Sequence, residues 1–407
     1  MKRLVVNGGR QLRGEVIVGG SKNAALPIIF ACILTNGISK IENLPDIGDV
    51  AIALSLLRSF GAEIENQGST TLIDTQKLIY RTPYSGLTSK IRASTYLLGS
   101  CLGRFGICHL QTFGGCNFSD RPIDMHLDAC KRLGASINDD TVFVNRPSGN
   151  SIEFAKPSVG ATVNAILLSA TAEGESHISG CAVEPHIDAL IDFLNSCGAD
   201  ITRIGREIRV VGRRLHGGRI RIIGDMIEAG SYLSLGLMCD GDITVKNAPI
   251  DHMTSFLDTI ARMGAQINIA DNCLSARLDK KTPISIATGP YPEFPTDLQP
   301  IIAPLMALCS GGEITDNVWP DRFGYLKSLS EFGIISTTKN NTAIIYPSKI
   351  HSGTISAPDL RGGMACLMTA LAAKGRSEIL SLDTILRGYE DLEEKFALLG
   401  ADIKIIE

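Results

Sequence analysis

Asp49-Val50-Ala51-Ile52-Ala53-Leu54-Ser55-Leu56-Leu57-Arg58-Ser59-Phe60-Gly61-Ala62-Glu63-Ile64-Glu65 is the stretch from which the fold can be read. Its apolar residues keep helical spacing up to Phe60, glycine supplies a C-terminal stop, and Ala62 to Glu65 reads as a strand. The signature returns as Gly134-Ala135-Ser136-Ile137, Gly198-Ala199-Asp200-Ile201, Gly264-Ala265-Gln266-Ile267, Gly333-Ile334-Ile335 and Gly400-Ala401-Asp402-Ile403. Successive glycines lie 73, 64, 66, 69 and 67 residues apart, which predicts six similar α/β units.

A second helix recurs with the same period and is more apolar. Its starts are Ser21-Lys22-Asn23-Ala24, Lys90-Ile91-Arg92-Ala93, Ser158-Val159-Gly160-Ala161, Ile227-Glu228-Ala229-Gly230, Pro295-Thr296-Asp297-Leu298 and Asp359-Leu360-Arg361-Gly362. Helices that are hydrophobic all round belong inside a domain, so strands and the other helices should wrap around them. Six such units exceed one ordinary domain, and two groups of three are expected. The predicted boundaries give one domain over 20–224 and a second over 1–19 plus 225–407, with the opening strand completing the second and two chain crossings forming a hinge.

Composition narrows the function. The chain has 407 residues, 44% hydrophobic and 20% charged, with a net charge of -4 and a pI near 6.0. That balance speaks against a general nucleic-acid binder, so any anionic ligand must be caught by a local basic cluster. The start lacks the apolar stretch of a signal peptide, and no apolar run reaches the roughly 20 residues of a membrane span. A cytoplasmic protein is expected. Eleven cysteines without a CxxC pair fit reduced thiols better than a disulfide framework.

The chemistry-bearing residues fall in two kinds of place. Gly114-Gly115-Cys116-Asn117-Phe118-Ser119-Asp120-Arg121-Pro122 puts a thiol within five residues of a guanidinium behind two glycines, a loop suited to meeting an anion. Alone it reads as a turn beside an ordinary core cysteine. Lys22, Arg92, Asp297, Asp359 and Arg361 stand at the starts of the apolar helices, where caps or small residues are usual. Helix N-termini attract anions, and a cluster of charges there favours a phosphate-bearing substrate.

From Val5-Val6-Asn7-Gly8 to the C-terminus the chain resembles the enolpyruvyl transferase family, and within it the UDP-N-acetylglucosamine 1-carboxyvinyltransferases. The matching motifs are Gly20-Ser21-Lys22-Asn23-Ala24-Ala25, Ile91-Arg92-Ala93-Ser94, the Cys116 loop with Arg121-Pro122-Ile123-Asp124-Met125-His126, Ser158-Val159-Gly160-Ala161-Thr162, Phe294-Pro295-Thr296-Asp297-Leu298-Gln299, Asp359-Leu360-Arg361 and Arg387-Gly388-Tyr389-Glu390. The resemblance implies a two-domain inside-out α/β barrel built from six repeats with buried helices. The sibling 5-enolpyruvylshikimate-3-phosphate synthases share that fold and lack the cysteine loop.

It also implies transfer of the enolpyruvyl group of phosphoenolpyruvate to the 3-hydroxyl of UDP-N-acetylglucosamine, with release of phosphate, at the first committed step of peptidoglycan precursor synthesis. No cofactor and no metal are called for, and the partners are small molecules, not nucleic acid or membrane. Cys116 is implied as the acid at the methylene carbon, Asp297 as the base, and Lys22 and Asp359 as further catalytic groups. Lys22, Asn23, Arg121, Arg361 and Arg387 are implied to hold phosphoenolpyruvate. The nucleotide sugar falls to Asn23, Arg92, Arg121, Pro122, Asp124, Met125, His126, Lys156, Ser158, Val159, Gly160, Asp297 and Val318.

Several positions depart from the family pattern. Ser119-Asp120, His186, Met226, Trp319-Pro320-Asp321-Arg322 and Gly362-Gly363 replace its usual residues. Most of them gather around the loop and the sugar side, so the alternative acceptor is another uridine nucleotide, such as UMP. A non-catalytic nucleotide binder is the reading from a different class. Joint retention of Cys116, Lys22, Asp297 and Arg387 speaks against it.

Overall fold

The computed structural model describes residues 2–110, 114, 122–270 and 272–406. Cys116 and Arg121, with Ser119 and Asp120, lie outside the described residues. The chain divides into two compact units, one over the described part of 20–223 and the other over 2–19 with 224–406.

All six repeat glycines are helix stops. Gly61, Gly134, Gly198, Gly264, Gly333 and Gly400 have φ between 77° and 104°, where a Cβ is strained and glycine is not. After each comes a strand: Glu63–Gln67, Ser136–Asn138, Asp200–Ile204, Ala265–Ala270, Ser336–Lys339 and Asp402–Ile406. It pairs in antiparallel fashion with the next strand, or, at the chain's end, with the opening strand Arg3–Gly8.

In the unit 20–223 the sheets run Arg219–Arg221, Ile38–Glu42, Thr70–Asp74, Glu63–Gln67, then Ile107–His109, Thr141–Phe143, Ser136–Asn138, and Ser151–Glu153, Glu175–Ser179, Glu207–Val211, Asp200–Ile204. The middle sheet has three strands among the described residues. Where the others gain a parallel fourth strand, this repeat carries Pro83 and the short helix Ser85–Thr88. Proline removes a ladder donor, which fits a helical turn there better than a strand.

The other unit has three four-stranded sheets, each with one parallel edge pair and two antiparallel pairs. The first 19 residues form two strands where one was expected. Arg3–Gly8 lies between Gly375–Leu380 and Asp402–Ile406, and Arg13–Ile17 pairs in parallel with Asp242–Lys246.

Three helices fill the centre of each unit: Lys22–Ala31, Leu97–Phe105 and Val159–Ser169 in the first, Met226–Met238, Gln299–Leu308 and Leu360–Ala372 in the second. Residues 161–169 and 360–371 are buried without exception. These helices have no solvent face, so nearly every side chain contributes to the core. Truncating one of the leucines to alanine is expected to cost about 2–5 kcal/mol. Close approach is arranged by small residues: a Cβ on Gly99 would meet the Asn164 carbonyl at 2.7 Å, and the Asn164 side chain accepts from the Gly99 amide at 2.7 Å. All ten described cysteines are free thiols, eight of them buried. No helix among the described residues is long and apolar enough to cross a membrane.

Candidate active site

In the unit 2–19 and 224–406 the three core helices begin with acidic residues. Asp225 caps Met226–Met238 by accepting from the amides of Ile227 and Glu228 at 2.8 and 3.2 Å. Asp359 caps Leu360–Ala372, its Oδ1 accepting from Arg361 and Gly362, both at 3.0 Å. A carboxylate at this position satisfies amides that have no helical acceptor and lies at the positive end of the dipole. Asp297 sits one step earlier, in the single turn Thr296–Leu298 before Gln299–Leu308.

The Asp297 carboxylate is held on both oxygens. Arg322 Nη1 donates to Oδ1 at 2.7 Å, and Arg361 Nη2 lies 3.5 Å from Oδ2. The two guanidiniums are 6% and 2% exposed, whereas the Asp297 side chain is 27% exposed. The cations are thus buried supports and the carboxylate is the part that faces outward. Burial opposes the charge of Arg361, but Tyr389, Asp297 and Asp225 outweigh it and hold its pKa above the ordinary guanidinium value. Its Cζ stands 5.4 Å from the centre of the Tyr389 ring, a cation–π contact, and the Tyr389 hydroxyl pairs with Ser231 at 2.9 Å. The three guanidinium nitrogens of Arg361 are buried, and among the described residues their charged contact is the Asp297 ion pair.

Gly362-Gly363 has a steric origin. A Cβ on Gly362 would meet the Cβ of the fully buried Tyr325 at 2.6 Å, and one on Gly363 would meet Ile385 and Ala357 at 2.8 and 2.9 Å. Arg387 is half-buried between the buried Ile385 and Tyr389, and Val318 donates its amide to Asp316 at 3.0 Å.

The unit 20–223 has a different character. Lys22 opens the helix Lys22–Ala31, and its Nζ lies 3.3 Å from the buried Asp49 carboxylate. Pro27 inside this helix has no N–H, which removes the helical donor from the Asn23 carbonyl. Ser158 caps Val159–Ser169, its hydroxyl accepting from Ala161 at 3.3 Å, so Val159 and Gly160 are first-turn amides without a helical acceptor. His126, in the first turn of Asp124–Arg132, is buried with its Nε2 against Gly160, where any Cβ would collide with the ring. Burial, helped by the positive charge of Arg92 and opposed by Asp124, pushes its pKa down to about 4. The imidazole is neutral at physiological pH, and its buried Nδ1 has no hydrogen-bond partner among the described residues. Arg92 begins the turn Arg92–Tyr96, and burial lowers its pKa. Pro122, Asp124 and Lys156 are exposed, and Met125 is half-buried against the core.

The structure thus brings Asp297, Arg361 and the Asp359 helix start together in one unit, and Arg92, His126 and Gly160 in the other. The sequence reading did not single out Asp49, Asp316, Arg322 as a partner of Asp297, or the Tyr389 ring. Asp49 and Arg322 lie in stretches whose other residues drew attention. Asp316 carried no local signal at all.

The family model for EPSP synthase (3-phosphoshikimate 1-carboxyvinyltransferase) matches residues 6–396. The chain belongs to this family of enolpyruvyl transferases, enzymes that act on small-molecule substrates. Among curated relatives, a UDP-N-acetylglucosamine 1-carboxyvinyltransferase of Prosthecochloris aestuarii is 38% identical over 99% of this chain and 98% of its own length. One from Halothermothrix orenii is 36% identical over the full length of both. Among solved structures, the enolpyruvyl transferase NikO from Streptomyces tendae superposes with a TM-score of 0.90 at 26% identity, covering 99% of this chain and 98% of that one. EPSP synthase from Acinetobacter baumannii shares the fold with a TM-score of 0.73 at 18% identity, over the full length of both chains.

Proposed function

We propose that this enolpyruvyl transferase moves the carboxyvinyl group of phosphoenolpyruvate to the 3-hydroxyl of UDP-N-acetylglucosamine, in the cytoplasm, as the committed step toward peptidoglycan. The observation that carries the proposal is the outward-facing Asp297 carboxylate, backed by two buried guanidiniums, in a chain whose full-length relatives bear that activity in their names. In the addition step Asp297 takes the hydroxyl proton as the sugar oxygen bonds to C2 of phosphoenolpyruvate, and the methylene carbon gains a proton from Cys116. In the elimination step the bond from C2 to the phosphate oxygen breaks, a proton leaves the new methyl group, and inorganic phosphate departs.

Lys22, Asn23, Arg121, Arg361 and Arg387 hold phosphoenolpyruvate in this reading, and preorganised cations of that kind stabilise the charge that develops at the reacting centre. The half-buried Arg92, the neutral His126 and the first-turn amides of Val159 and Gly160 serve the diphosphate, with Ser158, Lys156, Pro122, Asp124, Met125 and Val318 completing the nucleotide-sugar side. Asp359 orients Arg361 through its amide.

The departures from the family pattern at Met226 and Trp319 favour one second reading, in which the acceptor is another uridine nucleotide. Phosphate release from phosphoenolpyruvate, measured with UDP-N-acetylglucosamine against UMP and other uridine nucleotides, separates the two. Turnover confined to the sugar nucleotide is expected. Turnover with UMP alone would move the assignment to the second reading, and no turnover with any acceptor by pure, folded protein would end both. Cys116→Ser is expected to abolish most release while nucleotide binding persists.

A further inference from the structure

Behind Asp297 lies a buried chain of hydrogen bonds that the proposed reaction does not yet use. Asp316 is fully buried at the end of the strand Gly312–Asp316. Its Oδ1 accepts from Thr288 Oγ1 at 2.7 Å and from the amides of Val318 and Trp319 at 3.0 and 2.8 Å, and its Oδ2 accepts from Thr296 Oγ1 at 2.7 Å. Thr296 Oγ1 in turn accepts from Arg322 Nη1 at 3.1 Å, and the same nitrogen donates to Asp297 Oδ1 at 2.7 Å.

Donor and acceptor counts give this chain a direction. An ionised carboxylate only accepts, so the single proton of Thr296 must point to Asp316. The hydroxyl lone pair is then left for Arg322, whose Nη1 carries two protons, one for Thr296 and one for Asp297. Reversing any link would leave a buried donor facing a donor. We propose that Asp316, acting through Thr296 and Arg322, is the positioning residue that sets the orientation of the Asp297 carboxylate toward its substrate proton. The inference rests on the reading of Asp297 as the base. It adds that the geometry of the base is fixed from a residue that never meets substrate. General-base transfer requires hydrogen-bond reach, and a misplacement of about 1 Å is enough to lower a rate on the order of a hundredfold.

The alternative is that Asp316 only closes the turn at 317–319. Thr296→Val, Thr296→Ser and Asp316→Asn, each alone and in an Asp297→Asn background, separate the two in steady-state phosphate-release assays. Thr296→Val keeps the size of the side chain and removes the relay. It is expected to lower kcat about 10- to 100-fold with KM for both substrates within about threefold, and Thr296→Ser should restore most of the loss. In the Asp297→Asn background neither Thr296→Val nor Asp316→Asn should lower the residual rate further, because both act through Asp297. Wild-type kcat in Thr296→Val, or a loss that Thr296→Ser fails to repair, overturns the inference. Asp316→Asn also weakens the turn, so if it fails to fold the Thr296 pair decides alone. Full activity in Asp297→Asn itself refutes the base assignment, a different result from a failure of positioning.

Discussion

The two units use one architecture and give the starts of their core helices opposite electrostatic characters. In the unit 2–19 and 224–406, the carboxylates of Asp225 and Asp359 occupy the first-turn amides, while Asp297 is clamped between Arg322 and Arg361. In the unit 20–223, the cap at Val159–Ser169 is the neutral Ser158, and Lys22 and Arg92 stand at the other two starts. A carboxylate cap satisfies the helix end internally, whereas a hydroxyl cap leaves its positive end for an external anion. On the proposed reading, the first unit of this comparison holds the base and the second receives negative charge.

The largest expected effect tests the base. Asp297→Asn should lower kcat by about 10²–10⁴, the range for losing a positioned general base, while calorimetric binding of the nucleotide sugar changes little. A comparable loss of binding would assign Asp297 to recognition and blur the contrast. Next comes the receiving side. Lys22→Met should lower kcat/KM for phosphoenolpyruvate by about 10²–10³, as for a lost charge-stabilising donor, and should lower thermal stability because it removes an ion pair from the buried Asp49 carboxylate.

Stability against pH sharpens the comparison, since His126 in one unit and Glu228 in the other are buried with pKa shifts of opposite sign. His126 is pushed from 6.5 down to about 4, so below 6.5 the unfolded chain takes up a proton that the folded one refuses, and stability falls as pH drops from 6.5 to 4. Burial raises Glu228 from 4.5 to about 7 against the opposing pull of Lys395, 2.7 Å away, so the folded chain keeps its proton longer and stability falls as pH rises from 4.5 to 7. Each is worth about 3 kcal/mol at full extent. Between pH 4.5 and 6.5 the two slopes oppose. Urea midpoints should therefore fall with rising pH in His126→Gln, rise with pH in Glu228→Gln, and vary least in the wild type.

The smallest effect concerns the caps. Ser158→Ala should cost about 1 kcal/mol, a drop of about 2–4 °C in Tm. Asp225→Ala should cost more, because it removes the carboxylate oxygen that accepts from two amides, together with a negative charge that helps to hold Arg361.

Much of this was legible along the chain. Gly61 and its five counterparts announced the repeats because a helix stop needs a left-handed residue, a local requirement that leaves a local mark. Lys22, Arg92, Asp297 and Arg361 stood out because charge at the head of an apolar helix violates a local expectation. The sheet around Thr141–Phe143, three-stranded among the described residues, was not foreseen, although Pro83 stands where the other sheets of this unit have a parallel fourth strand. The two strands in the first 19 residues were read as one, because the break between them matters only once two different sheets claim the halves.

By itself the sequence determined the repeat, the stops, the buried helices and the residue types at their starts, because periodicity and capping act over a few residues. Only the tertiary structure decided which of those residues meet. Asp316 lies 19 positions from Asp297 and looks like any acid at a strand end, yet folding carries Thr288, Thr296 and Arg322 onto one hydrogen-bonded path to it. Directional bonds between distant segments leave no periodic trace, so their partners become visible only in three dimensions.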